Sequence, residues 1–277
     1  MTPPSPSSIA VRRRAFRELH AAGCFVIPNP WDAGSARYLA SLGFKALAST
    51  SSGFAWSQAQ ADGAMPRDAV LAHLREIVAA TELPVNADFE SGYGATPHDV
   101  ADSVRLAVDT GVAGLSIEDA TGNPERPIHD LPEALVRLRA ARAAIDEAGG
   151  DTLLVGRAEN YLHGRPDLAD TIARLRAYAE AGADCLYAPG IQSREDIAAV
   201  VAAVAPKPLN LLIGAASGLT LADVAALGVR RVSVGGALAR SAWGGFMRAA
   251  KAIADNGSFD GFAGAASGAE LNALMRG

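Results

Sequence analysis

The feature that most limits what this chain can fold into is a phrase that it repeats. LASLGFKALAST, VDTGVAGLSIED, AEAGADCLYAPG and AALGVRRVSVGG each run from a helix end, through a Gly that can cap it, into a short apolar strand. They place strands at about 45–49, 113–117, 184–188 and 231–235. Four more strand-like runs lie between them, CFVIP, LPVNA, TLLVG and PLNLLI, two of which follow a Pro that can mark entry to a strand. Eight short strands alternating with amphipathic helical patterns imply parallel pairing. At 277 residues the count favours the α/β class and a single closed (β/α)8 TIM barrel over an open sheet.

No linker rich in proline or charge divides the chain after residue 8. The expected organisation is a disordered tail over 1–8, a barrel over 9–255, and a C-terminal helical tail over 256–277 for subunit contact. Ser7 or Ser8 is the expected cap of a first helix reaching about Ala22, with its Arg residues outside and Phe16 and Leu19 inside. Asp32 is the expected cap of the second. With 49% hydrophobic residues the chain can build a sizeable core. Basic and acidic residues number 25 and 30, a net charge of -5 with no basic stripe, which excludes nucleic acid as an expected partner. MTPPSPSS lacks the apolar core of a secretory signal, and no stretch approaches the roughly 20 apolar residues that span a bilayer. Cys24 and Cys185 read as buried, unpaired thiols, which fits a cytoplasmic location.

Chemistry concentrates in LPVNADFESGYG, where a strand ends on acids. Asp88 and Glu90 would share a face if the strand ran on, and two hard oxygen donors aimed into one space suit Mg2+. An acidic strand end facing water is the alternative. In a (β/α)8 barrel the residues after each strand converge on one face. That face collects Ser51, Ser52, Gly53 and Phe54, then Asp88 and Glu90, Glu118 and Asp119, Arg157 and Glu159, Tyr187, and Asn210. Converging carboxylates repel one another unless a cation joins them, so a divalent metal is expected, Mg2+ or alternatively Mn2+. The lack of a His and Cys cluster argues against zinc.

Arg157 would hold a substrate carboxylate or an oxyanion, and the Ser52–Phe54 backbone could donate N–H groups to the same ligand. A strand-end salt bridge is the other reading of Arg157 and Glu159, and a core amide that of Asn210. Trp31 and Trp56 either wall the pocket or pack in the core. His20, His73, His98 and His163 read as surface residues, while His129 lies in a loop placed to gate the site and is a candidate proton donor.

The segments SGF (52–54), ADFESGYG (87–94), SIED (116–119) and GRAE (156–159) together resemble the isocitrate lyase/phosphoenolpyruvate mutase superfamily, in order over roughly Ile9 to Met247. The resemblance implies a (β/α)8 barrel, commonly a tetramer, whose last helix is swapped between subunits. It implies Asp88 as direct Mg2+ ligand, with Glu90 and Glu118 acting through water, and Asp62 as a further acid of the site. Glu90 stands where Asp is more usual. Ser52, Gly53 and Arg157 match positions that bind the 2-oxo acid. Departures narrow the chemistry. The loop ATGNPERPIHD, 120–130, lacks the cysteine of isocitrate-cleaving members. Asn123 matches the Asn of phosphonopyruvate enzymes, but their Lys is missing and Pro189 stands where their His would fall. Gly235-Gly236 replaces a His of the oxaloacetate decarboxylases. The expectation is an Mg2+-dependent lyase that cleaves a small 2-oxo dicarboxylate such as oxaloacetate through a pyruvate enolate. The alternatives are P–C bond chemistry on phosphonopyruvate, or a barrel that binds Mg2+ and a 2-oxo acid without turnover. A homo-oligomer, tetramer or dimer, is expected.

Overall fold

A computed structural model describes residues 4–276. Its strands are β1 (Phe25–Ile27), β2 (Leu47–Ala48), β3 (Val85–Asp88), β4 (Gly114–Glu118), β5 (Leu153–Arg157), β6 (Cys185–Tyr187), β7 (Leu209–Leu212) and β8 (Arg231–Ser233). All eight sequence-predicted strands are present. They form one parallel sheet in the order β1-β8-β7-β6-β5-β4-β3-β2. The seam between β1 and β2 has no ladder, but Ala48 N–H donates to the Pro28 carbonyl at 3.0 Å. Asn29 adds a side-chain bond to the Ser49 carbonyl at 2.9 Å. The barrel is nearly closed.

The helices are α1 (Pro6–Leu19), α2 (Ala33–Ser41), α3 (Ser51–Ser57), α4 (Arg67–Ala80), α5 (Pro97–Val108), α6 (Leu131–Glu147), α7 (Leu168–Glu180), α8 (Arg194–Val204), α9 (Leu221–Ala226), α10 (Ala237–Asn256) and α11 (Gly268–Arg276). Asp32 caps α2 in a capping box with Ser35. The main core lies between sheet and helices, where Leu74, Ile77, Val104, Ile145 and Leu175 are fully enclosed or nearly so.

Helix α1 departs from expectation in two ways. It begins at Pro6 with Ser5 as cap, because proline fits the first turn of a helix, so the tail expected over 1–8 is helical at its end. Residues 1–3 of that tail lie outside the described residues, as does Gly277 at the C-terminus. Arg12 and Arg13 are also buried rather than outward. Arg12 donates to the Val78 carbonyl at 2.9 Å, and Arg13 to the Val108 and Val112 carbonyls at 2.8 and 3.0 Å. Carbonyls near a helix C-terminus lack intrahelical partners, and guanidinium groups satisfy them. In this way α1 closes one end of the barrel, with Phe16 fully enclosed.

Inside the barrel the packing is polar where aliphatic layers are usual. Asn86, Ser116, Asn210, Arg231 and Ser233 are all buried. At the other extreme, α10 buries only Ala239. The chain then returns to α2, where Arg37 donates to the Met275 carbonyl at 2.5 Å.

Candidate active site at the strand ends

The site is assembled by short hydrogen bonds between consecutive strand ends. Asp88 closes β3, receives the Ser51 N–H on Oδ2 at 2.9 Å, and gives its own N–H to Ser49 Oγ at 2.8 Å. The strand does not run on to Glu90. Glu90 takes a φ of 46° and Tyr93 one of 49°, with Gly92 at 89° between them, so a tight turn and not strand alternation orients Glu90. The Tyr93 hydroxyl donates to Glu90 Oε1 at 2.6 Å. Arg137 pins the turn from behind through the carbonyls of Ser91 and Gly94, at 3.0 and 2.8 Å.

Arg157 sits at the centre. Its Nη1 lies 3.2 Å from Asp88 and 3.0 Å from Glu118, and its Nε lies 2.5 Å from Glu159. The guanidinium carbon is 5.1 Å from the centre of the Tyr187 ring. The strand-end salt bridge with Glu159 is therefore real, and it is part of a larger cluster. With Asp62 and Glu90 added, acids outnumber the single cation. Burial, followed by the nearby Asp88 and Asp62, pushes the Glu90 carboxyl up to about 7 against the pull of the Tyr93 hydrogen bond. Burial also raises the carboxyls of Asp62 and, far more, Glu118.

This donor set fits a divalent cation of a particular kind. Among the described residues no three His, Cys, Asp or Glu side chains converge closely enough to hold an ion by themselves. The donors are hard oxygens carrying excess negative charge, which matches an ion held by one carboxylate and several waters, as Mg2+ prefers.

A cavity of about 180 Å³ runs from Asp62, Leu162 and Gly235 past Asp88 and Arg157 to Asn86 and Arg231 inside the barrel. A second cleft of about 450 Å³ shares Asp62 and Arg157 and opens past Glu90, Glu118, Thr121 and His163. Most of the expected residues border one or both. Ser52 lines the cavity, and the other α3 amides are spoken for: Ser51 N–H by Asp88, Gly53 N–H by Thr50 Oγ1, Phe54 N–H by the Thr50 carbonyl. Of the expected Ser52–Phe54 amides, only that of Ser52 is without a partner among the described residues. A Cβ on Gly53 would come within 2.9 Å of Trp31 Cβ, so Trp31 backs α3 and is not a wall of the cavity. Asn210 serves both readings, accepting from Arg231 Nε at 2.8 Å, donating to Ser233 Oγ at 2.9 Å, and lining the cavity. Tyr187 lines it too, its hydroxyl pushed up to about 12 by burial.

Other candidates lie elsewhere. Phe54 stacks on His73 in the core at 3.8 Å between ring centres, so its side chain reaches no ligand. His73 is buried and His20 faces the barrel interior, which corrects their reading as surface residues. Asp119 turns away and accepts from Glu159 N–H, Arg174 and Tyr178, tying β4 to α7. Asn123 is exposed, and its side chain accepts from Glu125 N–H within its own turn. His129 points at Glu133, with Nδ1 2.9 Å from a carboxylate oxygen, and borders neither cavity. Sequence reasoning missed Asn29, Asn86, Ser116, Ser233 and Arg231. Spacing could have found Asn86 and Ser116, which stand two residues before Asp88 and Glu118 on the same strand faces.

The sequence pattern of the phosphoenolpyruvate phosphomutase family matches residues 16–254. A protein of Burkholderia cenocepacia J2315, provisionally described as a lyase/mutase, is 50% identical in its crystal structure, with a TM-score of 0.94 and 98% of each chain covered. Oxaloacetate acetylhydrolase, solved with its product oxalate, is 29% identical with a TM-score of 0.85, over 98% of this chain and 95% of its own. The oxaloacetate decarboxylase of Paraburkholderia xenovorans LB400 is 30% identical over 230 residues, 80% of this chain and 74% of its own length.

Proposed function

The chain belongs to the phosphoenolpyruvate phosphomutase family, and from that premise we propose that it is an Mg2+-dependent lyase that cleaves a C–C bond of a small 2-oxo dicarboxylate, with oxaloacetate as the favoured substrate. The observation that carries this reading is one guanidinium, Arg157, set among the carboxylates of Asp88, Glu118 and Glu159 at the wall of a small cavity. Asp88 would hold the ion directly, and Glu90, Glu118 and Asp62 would hold its waters. A divalent cation bound there supplies Lewis acidity toward a 2-oxo carbonyl.

The chain's own groups do the rest. The Ser52 N–H and the Arg157 guanidinium receive the carboxylate next to the carbonyl and fix its plane. In oxaloacetate the C3–C4 bond breaks, CO2 departs, and the electron pair stays on the pyruvate fragment as its enolate. A proton then returns to C3. His129 faces Glu133, so the donor in this reading is a carboxyl or water inside the cleft. Thr121 and Gly122 border the cleft from the loop over 120–130, whose ends are tied by a bridge between Ala120 and Ile128, and the loop excludes bulk water in the same reading.

Self-association belongs to the proposal as well, supported by the exposed Trp243, Phe246 and Met247 of α10. Two free thiols support a reducing, cytoplasmic setting.

The test is release of pyruvate and of oxalate from oxaloacetate, with Mg2+ or EDTA, corrected for decarboxylation by Mg2+ alone, and with phosphonopyruvate as a second substrate. Protein-dependent pyruvate that disappears in Asp88→Ala and in EDTA is the expected result. Oxalate in its place would move the broken bond to C2–C3, and turnover of phosphonopyruvate alone would replace the lyase reading with P–C chemistry.

A further inference from the structure

The deepest charged side chain bordering the cavity is one the catalytic cluster does not use. Arg231, at the start of β8, is 3% exposed. Its Nε donates to Asn210 at 2.8 Å, and its Nη1 makes two long contacts of 3.4 Å, to His20 Nε2 and Asn86 Oδ1. All three partners are uncharged. His20 is neutral and adds no second positive charge, since burial and then Arg231 itself push its imidazole down to about 3. Cys185, which also feels Arg231, is held as a neutral thiol because burial raises it. Among the described residues Nη2 has no hydrogen-bond partner and no carboxylate pairs with the guanidinium. An interior cation without a counter-charge is costly, whereas one that meets an anion when the site fills is not.

The geometry also places this cation within reach of a ligand bound at Asp88. Asn86, which Arg231 touches, stands two residues before Asp88 on the same strand, so their side chains share a face about 7 Å apart along it. That separation matches a four-carbon acid lying down the cavity. Ser116 and Ser233 border the same space and add hydroxyls to its wall.

We propose that Arg231, with Asn86, Asn210 and Ser233, forms the floor of the substrate cavity and receives the distal carboxylate of a dicarboxylic acid whose other end is held at Ser52 and Arg157. The inference rests on the reading of that upper site as a 2-oxo acid site, and it makes Arg231 the residue that selects diacids over monoacids.

Malate and 2-hydroxybutyrate test it, because they share a 2-hydroxy acid head and four carbons and differ in a distal carboxylate against a methyl group. Calorimetric titration with Mg2+ present should show malate binding roughly tenfold or more tighter to the wild-type protein, the scale of a hydrogen bond to a charged group. Arg231→Gln should shrink the ratio to within about twofold, chiefly by weakening malate, and Arg231→Lys should recover part of it. Equal affinity for the two acids in the wild type overturns the inference even if both variants fail to fold. Binding of neither acid overturns the upper site along with it. Selective binding without turnover of oxaloacetate leaves the floor standing and removes only the proposed reaction.

Discussion

Glu90 combines a left-handed backbone with a carboxyl that burial raises to about 7, and Tyr93 opposes that rise. Tyr93 shares the strained turn and donates the hydrogen bond that holds the charged form of Glu90. Removing the hydroxyl in Tyr93→Phe takes away the stabilisation of the carboxylate and leaves burial and the Asp88 and Asp62 charges in place. The Glu90 titration should therefore move upward, as read by carbon NMR of the metal-free protein, and an unmoved or lowered midpoint would sink this account. His73 carries the opposite kind of shift. Burial lowers its imidazole from 6.5 to about 4, and its Nε2 is enclosed without a hydrogen bond. Between those values the unfolded chain binds a proton that the folded protein refuses. Stability from His73 is thus complete above pH 6.5 and declines as pH falls to about 4, by at most about 3 kcal/mol. The raised Glu90 and Glu118 carboxyls act with the reverse sign, losing stability as pH rises, so the comparison has to be made between variants. His73→Phe keeps the ring stacked on Phe54 and should flatten this part of the urea-denaturation profile between pH 6.5 and 4, with no loss at pH 7.

At the scale of elements, α3 shows how closely the site depends on one missing side chain. A Cβ on Gly53 would stand 2.7 Å from Thr50 Cγ2, on a short side chain held by its hydrogen bond from Gly53 N–H, and 2.9 Å from Trp31 Cβ, next to the backbone. Gly53→Ala should cost about 1–3 kcal/mol in denaturant unfolding. It should also weaken substrate binding by displacing the Ser52 N–H, and a variant of wild-type stability and affinity would show that the contact is easily relieved. The strands and the cap of α2 were legible because their signals are local: a Gly before four of the short apolar runs and the runs themselves mark the strands, and Asp32 marks the cap. Helix α1 was misjudged because nothing local marks Arg12 and Arg13 as buried. Their partners, the carbonyls of Val78, Val108 and Val112, are far away in sequence and face them only once the barrel has closed. Likewise Asp88, Glu118 and Arg157 could be named from their places at strand ends, whereas the partners of Asp119, Arg174 and Tyr178, are set by how α7 packs; His129 was misjudged although its partner Glu133 lies only four residues on.

For the whole molecule, the distribution of apolar surface points beyond one chain. Helices α4, α5 and α6 bury broad faces, yet α10 leaves Phe246 and Met247 each 62% exposed, and the following segment leaves Phe259 at 65%. Continuous exposure of large side chains along a 20-residue helix is uncommon on a protein that stays monomeric. A second copy is the simplest occupant, since a symmetric contact covers the same patch on both partners. In sedimentation equilibrium the wild-type protein should therefore exceed the 28.4 kDa of one chain. Phe246→Asp combined with Met247→Asp should shift it toward the single-chain mass, because neither side chain supports the barrel core and a carboxylate in a dry interface is costly. The cluster of Arg157 with Asp88, Glu118 and Glu159 is built from strand ends of one barrel, so the dissociated variant should still bind malate as the wild type does. A wild-type protein that sediments as one chain would leave the α10 face without a role in assembly, and dissociation accompanied by loss of malate binding would mean that a neighbouring copy completes the site.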